Sequence, residues 1–261
     1  MYRPNLISHI SYLVSCVLCL AAVSCKQLPP QEKTLTVVAE NNILGCVIND
    51  TAVNGFQYEI IKSFADTFNY KLNIVLSNNL ETSLEMLKNG EADVLARALP
   101  TTLSLKNEFD FTIPLYTSNL VLVQHKNGGK KRKNVTVKTL SDLEGKTVCV
   151  LENSPYIRQL HFLVEDSGID FYVETTRSSK LKHLAEMIDV GKIPYLAIDK
   201  NTAVYLQKLN PNLDIETKLG LNQFMAWAVS KQNQELKNQL DDWLATFLQE
   251  AEYREILRKY F

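Results

Sequence analysis

Short apolar runs and amphipathic helical segments alternate through the first hundred residues, and this alternation limits the possible folds more than any other feature. Strands are predicted at residues 34–39, 70–76 and 94–98, with helices at residues 56–69 and 79–89. The first helix has one apolar face, because large apolar side chains recur in it at every fourth position. Strands connected through helices pair in parallel within one layer. The sequence therefore predicts an α/β fold.

A second unit of the same kind follows from about residue 139. Ser154 and Pro155 predict a helix that starts there and ends at Gly168, because serine caps helices and proline suits the first turn. Strands are predicted at residues 120–124, 147–151, 171–174, 195–198 and 224–229, with helices at residues 179–190 and 201–209. Two final helices are predicted within residues 232–260.

The two units predict two lobes joined by two extended crossings. Residues 34–123 and 225–261 are assigned to lobe 1, and residues 124–224 to lobe 2. Each lobe is expected to contain a mixed sheet flanked by helices, with a two-strand hinge between the lobes.

The N-terminus predicts export and a lipid anchor. Arg3 precedes an apolar run over residues 10–23, which is too short to span a bilayer but suits the core of a signal peptide. The run ends in Ala-Ala-Val-Ser before Cys25, an arrangement that resembles the lipidation site of bacterial lipoproteins. The predicted signal peptide is residues 1–24, and residues 25–33 form a tether. The alternative is an ordinary secretory signal followed by an incidental cysteine.

Charge and cysteine content narrow the possible partners. The 28 basic and 29 acidic residues give a formal net charge of −1, which favours neither nucleic acid nor an anionic membrane surface. The basic cluster at residues 130–133 is interpreted as a solvated loop tip, with a binding patch as the alternative. Cys46 and Cys149 are expected to stay unpaired, because a disulfide between lobes would block hinge motion. The histidines show no metal-ligand spacing, so neither a metal nor a cofactor is predicted.

Two motifs in the first half point to a family. Residues 55–59 (GFQYE) open the first long helix, and residues 93–116 form a strand, a Pro-Thr-Thr crossing, a polar turn and the exit FDFTIPLY. In order and spacing these motifs resemble the bacterial extracellular solute-binding proteins of family 3, whose pattern aligns with residues 93–116 without a gap. The resemblance extends over residues 34–261. It implies a two-lobed fold of the type II periplasmic-binding-protein kind, which closes on a ligand without catalysis.

The second half resembles one subgroup more closely. The run at residues 189–201 (DVGKIPYLAIDKN), followed by residues 210–213 and 225–229, is similar to the N-terminal sensor module of membrane-bound lytic transglycosylase F. In that enzyme a transglycosylase domain with a catalytic glutamate follows the sensor. The given sequence stops where the sensor module ends, so we expect this chain to be no enzyme.

The family resemblance implies a ligand site with one substitution at its centre. The family's arginine for the α-carboxylate corresponds to Leu105, so that cation is missing from its usual position. The family's hydroxyl at the start of the lobe 2 helix falls on Ser154 or Pro155, of which only Ser154 can serve. Asp199 matches the acid that holds the α-amino group, and Arg97 occupies a ligand-facing position on the first lobe.

Arg97 allows two interpretations, because a guanidinium within an apolar strand requires a partner. It forms a structural ion pair with Asp199 or Glu40, or it replaces the missing anion-binding arginine from another wall. Aromatic walls are expected from Phe56, Tyr116 and Tyr156, each of which could equally be core. The predicted ligand-binding set is Glu40, Asn42, Phe56, Arg97, Ala98, Thr102, Tyr116, Ser154 and Asp199.

These features predict a lipid-anchored protein on the periplasmic side of the cell envelope, expected to be a monomer. It would capture a small amino-acid- or peptide-like ligand between its lobes. The partner would be an ABC permease if the protein serves transport. The alternative is a sensor or accessory role in peptidoglycan turnover, with a peptidoglycan-processing enzyme as partner.

Overall fold

The computed structural model describes residues 33–50, 52–126, 136–178 and 180–261. The proposed signal peptide, Cys25 and the basic cluster at residues 130–133 lie outside the described residues, so these assignments remain predictions. Within the described ranges, no helix has both the length and the apolar character needed to cross a bilayer.

Strands and helices alternate along most of the chain. The strands are β1 (Thr34–Ala39), β2 (Val47–Asn49), β3 (Ala52–Asn54), β4 (Lys71–Leu76), β5 (Val94–Pro100), β6 (Phe109–Phe111), β7 (Tyr116–Ser118), β8 (Leu120–His125), β9 (Thr147–Leu151), β10 (Tyr172–Thr176), β11 (Tyr195–Asp199), β12 (Leu213–Lys218) and β13 (Gln223–Ser230). The helices are α1 (Phe56–Thr67), α2 (Leu80–Lys88), α3 (Leu103–Glu108), α4 (Ile157–Ser167), α5 (Leu181–Asp189), α6 (Lys200–Leu209), α7 (Gln234–Phe247) and α8 (Ala251–Tyr260).

Two mixed sheets organise these elements. The first has the order β4-β1-β5-β13-β6, with β7 also paired to β13, and the second has the order β10-β9-β11-β8-β12. The pairs β1–β4 and β1–β5 are parallel, as the alternation of strands and helices predicts. Strand β13 runs antiparallel to its neighbours, because the chain returns to the first sheet from the opposite direction.

Each sheet is packed against its own apolar core. In the first core, Trp227 on β13 has no exposed surface, and its indole Nε1 donates a hydrogen bond of 2.6 Å to Oε1 of Gln57 on α1. The C-terminal helices complete this core, and the Tyr253 hydroxyl donates to the Leu115 carbonyl oxygen at 2.8 Å. A long-range contact of this kind fixes α8 to the strands of the first sheet.

The chain changes sheets at two places. It leaves the first sheet after Ser118 and enters the second at Leu120, and it returns between Lys218 and Gln223. All of β8 therefore pairs in the second sheet. The division of the chain into lobes at residues 123 and 225 remains a prediction.

Several local features differ from the sequence-based expectation. The helix predicted to start at Ser154 begins instead at Ile157, because the Ser154 hydroxyl accepts the Tyr156 backbone N–H in a tight turn. The hairpin β2–β3, helix α3 and strand β12 were not predicted. The strands β2 and β3 are three residues long and largely solvent-facing, so they carry no apolar alternation.

Candidate functional site

Strand β5 is irregular at Arg97. In its antiparallel pairing with β13, Ala226 lies opposite Leu99 and Ala228 lies opposite Leu95, so three residues of β5 face one residue of β13. Arg97 and the next residue are both half-buried, which breaks the alternation of inward and outward side chains. Bulges of this kind redirect side chains and are common beside binding sites. The bulge allows a cationic residue to sit in an apolar strand without pointing into the core.

Arg97 forms an ion pair and keeps one nitrogen unpaired. Its Nη2 lies 3.0 Å from Oε1 of Glu40, and the Arg97 side chain is only 11% exposed. Its Nη1 is buried and has no hydrogen-bond partner within the residues that the structure describes. The structural ion pair with Glu40 is therefore present, and the second nitrogen still requires an acceptor.

Asp199 ends β11 and caps α6. Its Oδ1 accepts the backbone N–H groups of Asn201 and Thr202, each at 3.0 Å, and its Oδ2 accepts the Thr202 hydroxyl. Burial raises the pKa of the Asp199 carboxyl, the Thr202 and Asn201 hydrogen bonds oppose the shift, and the Glu40 charge adds to it. No cation is paired with Asp199 among the described residues.

Two tyrosines line the same region. Burial raises the pKa of Tyr116 well above its usual value, the nearby Asp199 charge adds to the rise, and a hydrogen bond with the Asn201 side chain opposes it. Burial likewise raises the pKa of Tyr156. The charge of Asp199 adds to this rise, and the charge of Arg97 opposes it. The Tyr156 hydroxyl donates a hydrogen bond to Sδ of Met225 at 3.8 Å, which links the loop between β9 and α4 to strand β13. Both tyrosines are therefore neutral at physiological pH and can act as hydrogen-bonding walls.

A tight loop after β1 holds Glu40. The Glu40 carbonyl oxygen accepts the Cys46 backbone N–H at 2.8 Å, and Oδ1 of Asn42 accepts the N–H groups of Leu44 and Gly45 at 2.9 Å each. A Cβ at Gly45 would lie 2.3 Å from the Glu40 carbonyl oxygen, so only glycine fits. The Asn42 side chain thus stabilises the loop that positions the Glu40 carboxylate.

Three further residues of the predicted ligand-binding set, Phe56, Ala98 and Thr102, have packing or helix-capping contacts. Phe56 has no exposed surface and packs edge-on against Phe261, with the two ring centroids 4.9 Å apart. It therefore supports the site from within the core. Ala98 is half-buried and packs against the core of the second sheet. Thr102 caps α3, with its Oγ1 accepting the Leu105 N–H at 3.4 Å.

Leu105 and Ser154 line a cavity whose lining residues do not include Arg97. This cavity of about 490 Å³ lies between α2, α3 and the loop that precedes α4, and Leu105, Ser154 and Arg158 are among its lining residues. The structure therefore pairs Arg97 with Glu40, and the Asp199 carboxyl is within electrostatic reach of Glu40 and Tyr116. Ser154 lines the same cavity as Leu105, the position where the family has its arginine.

A comparison with known protein families gives one match over nearly the whole described chain. Residues 35–261 match the family described as bacterial extracellular solute-binding proteins, family 3. The chain belongs to this family. Its membership confirms the relationship predicted from residues 55–59 and 93–116, and it indicates a place outside the cytoplasm.

The curated relatives of this family 3 protein include membrane-bound lytic murein transglycosylases F. The protein from Desulfosudis oleivorans is 24% identical over 231 residues, which cover 88% of this chain and 49% of the relative. The protein from Pseudomonas fluorescens is 28% identical over 229 residues, which cover 87% of this chain and 46% of the relative. The chain thus spans about half the length of the curated relatives that it matches.

Solved structures confirm the fold of this family 3 member. An ancestral arginine-binding protein bound to arginine matches with a TM-score of 0.72 and 21% identity, over 88% of this chain and 99% of that protein. The fold is therefore the two-lobed, type II periplasmic-binding-protein fold, with a mixed sheet flanked by helices in each lobe. The assignment of individual ligand-binding residues remains a prediction.

Proposed function

We propose that this chain is an extracytoplasmic receptor that captures a small zwitterionic ligand, an amino acid or short peptide, between its lobes. The observation that carries the proposal is the buried Nη1 of Arg97, which has no hydrogen-bond partner among the described residues. The other terminal nitrogen pairs with Glu40, and the charge of Glu40 also raises the pKa of Asp199. A buried guanidinium nitrogen without an acceptor is costly in a folded protein, and a bound ligand or water removes that cost by supplying the acceptor. Family membership supports a binding role.

The charges around Arg97 suit both ends of a zwitterion. A ligand carboxylate would accept from Arg97 Nη1, forming a charge-assisted hydrogen bond. The pair Arg97–Glu40 is neutral as a unit, and an ionised Asp199 would add one negative charge within electrostatic reach of Glu40. A ligand ammonium would neutralise that charge. It would also lower the pKa of Asp199, against the effect of burial. Closure of the lobes would then be favoured only when both ligand charges are present.

The direct experiment is a thermal-shift screen of the purified protein against free L-amino acids, dipeptides and soluble peptidoglycan peptides. A ligand that binds only the folded state must raise the melting temperature. A concentration-dependent rise with at least one zwitterionic compound supports the proposal. No rise with any of the three classes would contradict it.

The substitution at Leu105 leads to a prediction about ligand choice. Leu105→Arg restores a cation at the position where the family binds an α-carboxylate, and the adjoining cavity of about 490 Å³ can hold the longer side chain. We expect the variant to favour free α-amino acids over dipeptides by about ten-fold relative to wild type, which is the effect of roughly 1.4 kcal/mol. Calorimetric titration with both classes measures the ratio.

Leu103→Arg is the matched control for the effect of adding a positive charge to this helix. Leu103 begins the same helix but is 82% exposed, so a cation there should leave the ratio unchanged. An unchanged ratio in Leu105→Arg as well would show that this position lies outside the ligand's reach.

We further propose a lipid anchor at Cys25, supported by the apolar run at residues 10–23 that ends in small residues before this cysteine. Cys25→Ala is expected to release the protein from membrane fractions or to leave an unprocessed precursor. Fractionation and electrophoretic mobility identical to wild type would show that Cys25 carries no lipid.

The role of the receptor has two candidates. Transport through an ABC permease is one candidate, supported by the structural similarity to the substrate-binding protein of an amino acid ABC transporter. A sensor or accessory role in peptidoglycan turnover is favoured by the similarity to transglycosylases F. Neighbouring permease and ATPase genes would favour the first, and binding of peptidoglycan peptides in preference to free amino acids would favour the second.

We expect the purified chain to release no soluble fragments from peptidoglycan. The matched region is a solute-binding fold, and it covers about half the length of the transglycosylase F relatives. Chromatography of supernatants from purified sacculi is the assay. Release of soluble muropeptides above a heat-inactivated control would refute a purely binding role.

A further inference from the structure

Buried polar atoms without partners are concentrated where the two lobes join. In the described part of the chain they are Nη1 of Arg97, Oγ of Ser118, Nδ2 of Asn119 and Oε1 of Gln223. Ser118 and Asn119 are 3% and 7% exposed, so water cannot freely satisfy them. Native proteins leave few such groups, and each one indicates a missing water, an ion or a ligand. Arg97 belongs to the site already proposed, whereas the other three are not explained by it.

The three remaining groups lie on the two crossings. Ser118 and Gln223 face each other in the antiparallel pairing of β7 with β13, so their side chains lie on the same face of this ribbon. Asn119 follows directly, and its carbonyl oxygen accepts the Lys200 N–H at 2.8 Å. Lys200 comes next to Asp199 in the chain, so the group adjoins the proposed ammonium site. We call Ser118, Asn119 and Gln223 the crossing triad.

The triad combines donors with an acceptor. Asn119 Nδ2 and the Ser118 hydroxyl can donate, and Gln223 Oε1 can accept. A carboxylate would satisfy only the donors, and an ammonium would satisfy only the acceptor. An amide satisfies both, because its carbonyl oxygen accepts while its N–H donates.

We propose that the crossing triad recognises an amide group of the ligand, either a peptide bond or a side-chain carboxamide. This inference rests on the proposed capture of a zwitterion, and it adds the chemical class of the ligand. Ligand-free protein would leave the triad unsatisfied, and a bound amide would bridge both crossings. Binding and closure would then be coupled directly at the hinge.

The first test needs no ligand. Ser118→Ala removes a hydroxyl that has no partner in the described part of the chain, so the melting temperature of the ligand-free protein should stay the same or rise. Ser83→Ala is the matched control, because Ser83 is 1% exposed and its hydroxyl donates to the Asn79 carbonyl oxygen at 2.7 Å. That control should lower the melting temperature. An equal loss in Ser118→Ala would mean that a structural water already satisfies the triad, and would overturn the proposal.

The second test uses three defined probes. L-Glutamine carries a side-chain carboxamide, L-alanyl-L-alanine carries a peptide bond, and L-methionine is a zwitterion of similar length to glutamine without either. At least one amide probe should bind more tightly than L-methionine, and Asn119→Leu should weaken that probe about ten-fold while changing L-methionine little. The probe that responds identifies the source of the amide.

The outcomes separate the two proposals. Binding of all three probes with equal affinity would leave the receptor function intact and overturn the amide assignment. Binding of none of them, together with no response in the wider screen of zwitterions, would overturn the receptor function on which the assignment rests.

Discussion

Arg97→Ala is expected to abolish most ligand binding while the protein remains folded. The substitution removes the nitrogen that we assign to the ligand carboxylate, and a lost hydrogen bond to a charged group costs about 1.5–3 kcal/mol. The affinity should therefore fall roughly ten- to a hundred-fold. Calorimetric titration of the folded variant, with the zwitterion that gives the largest thermal shift, measures the loss. Arg97→Lys should retain part of the affinity, because lysine keeps the charge without the planar fork.

Arg177→Ala is the matched control for this experiment. Arg177 also pairs with an acid, with its Nε 2.7 Å from Oε2 of Glu152, but its side chain is 85% exposed. Affinity should be unchanged in this control, because Arg177 is not among the residues assigned to the ligand. Stability should also change little, because an exposed ion pair contributes little to it. The purely structural interpretation of Arg97 makes the opposite forecast for Arg97→Ala: reduced stability through the orphaned Glu40, with unaltered affinity in the folded fraction.

Trp227→Ala is expected to cause the largest loss of stability in the first lobe. Trp227 has no exposed surface, and replacement of a buried tryptophan by alanine costs about 3–5 kcal/mol. The change also removes the donor to Oε1 of Gln57, a residue only 4% exposed, which adds an unsatisfied buried acceptor. Urea unfolding followed by far-ultraviolet circular dichroism measures the free energy of unfolding.

Trp227→Phe separates the two contributions. Phenylalanine fills much of the same space but cannot donate to Gln57, so we expect a smaller loss that the double variant Trp227→Phe with Gln57→Leu partly restores. A loss below about 1 kcal/mol in Trp227→Ala would contradict the description of this tryptophan as a core residue, since such a loss is typical of surface positions.

Elements with strong local signals could be predicted from the sequence. Strand β9 was placed at its observed bounds, because Thr147–Leu151 is a short apolar run between polar turns. The prediction that helix α4 ends at Gly168 is also confirmed, since this glycine adopts the left-handed conformation with φ of 67°. The start of α4 was wrong because Ser154 and Pro155 form a turn before the helix, a choice that depends on contacts and not on residue preference.

The site could be predicted only in part. The sequence identified Arg97 as unusual and named Glu40 as one possible partner, and the structure shows that ion pair. The bulge that turns Arg97 away from the core depends on how β5 pairs with β13, two strands far apart in sequence. The crossing triad likewise arises from the pairing of β7 with β13, and nothing local distinguishes Ser118 or Gln223 from ordinary polar residues.

The most direct test of zwitterion capture compares one amino acid with its two charge-blocked derivatives. The amino acid that most raises the melting temperature of wild-type protein is measured beside its methyl ester, which lacks the carboxylate, and its N-acetyl form, which lacks the ammonium. Capture between Arg97 and the acids Glu40 and Asp199 predicts a shift with the free amino acid and little or none with either derivative. Equal shifts with all three compounds, or no shift with any free amino acid or peptide, would contradict it.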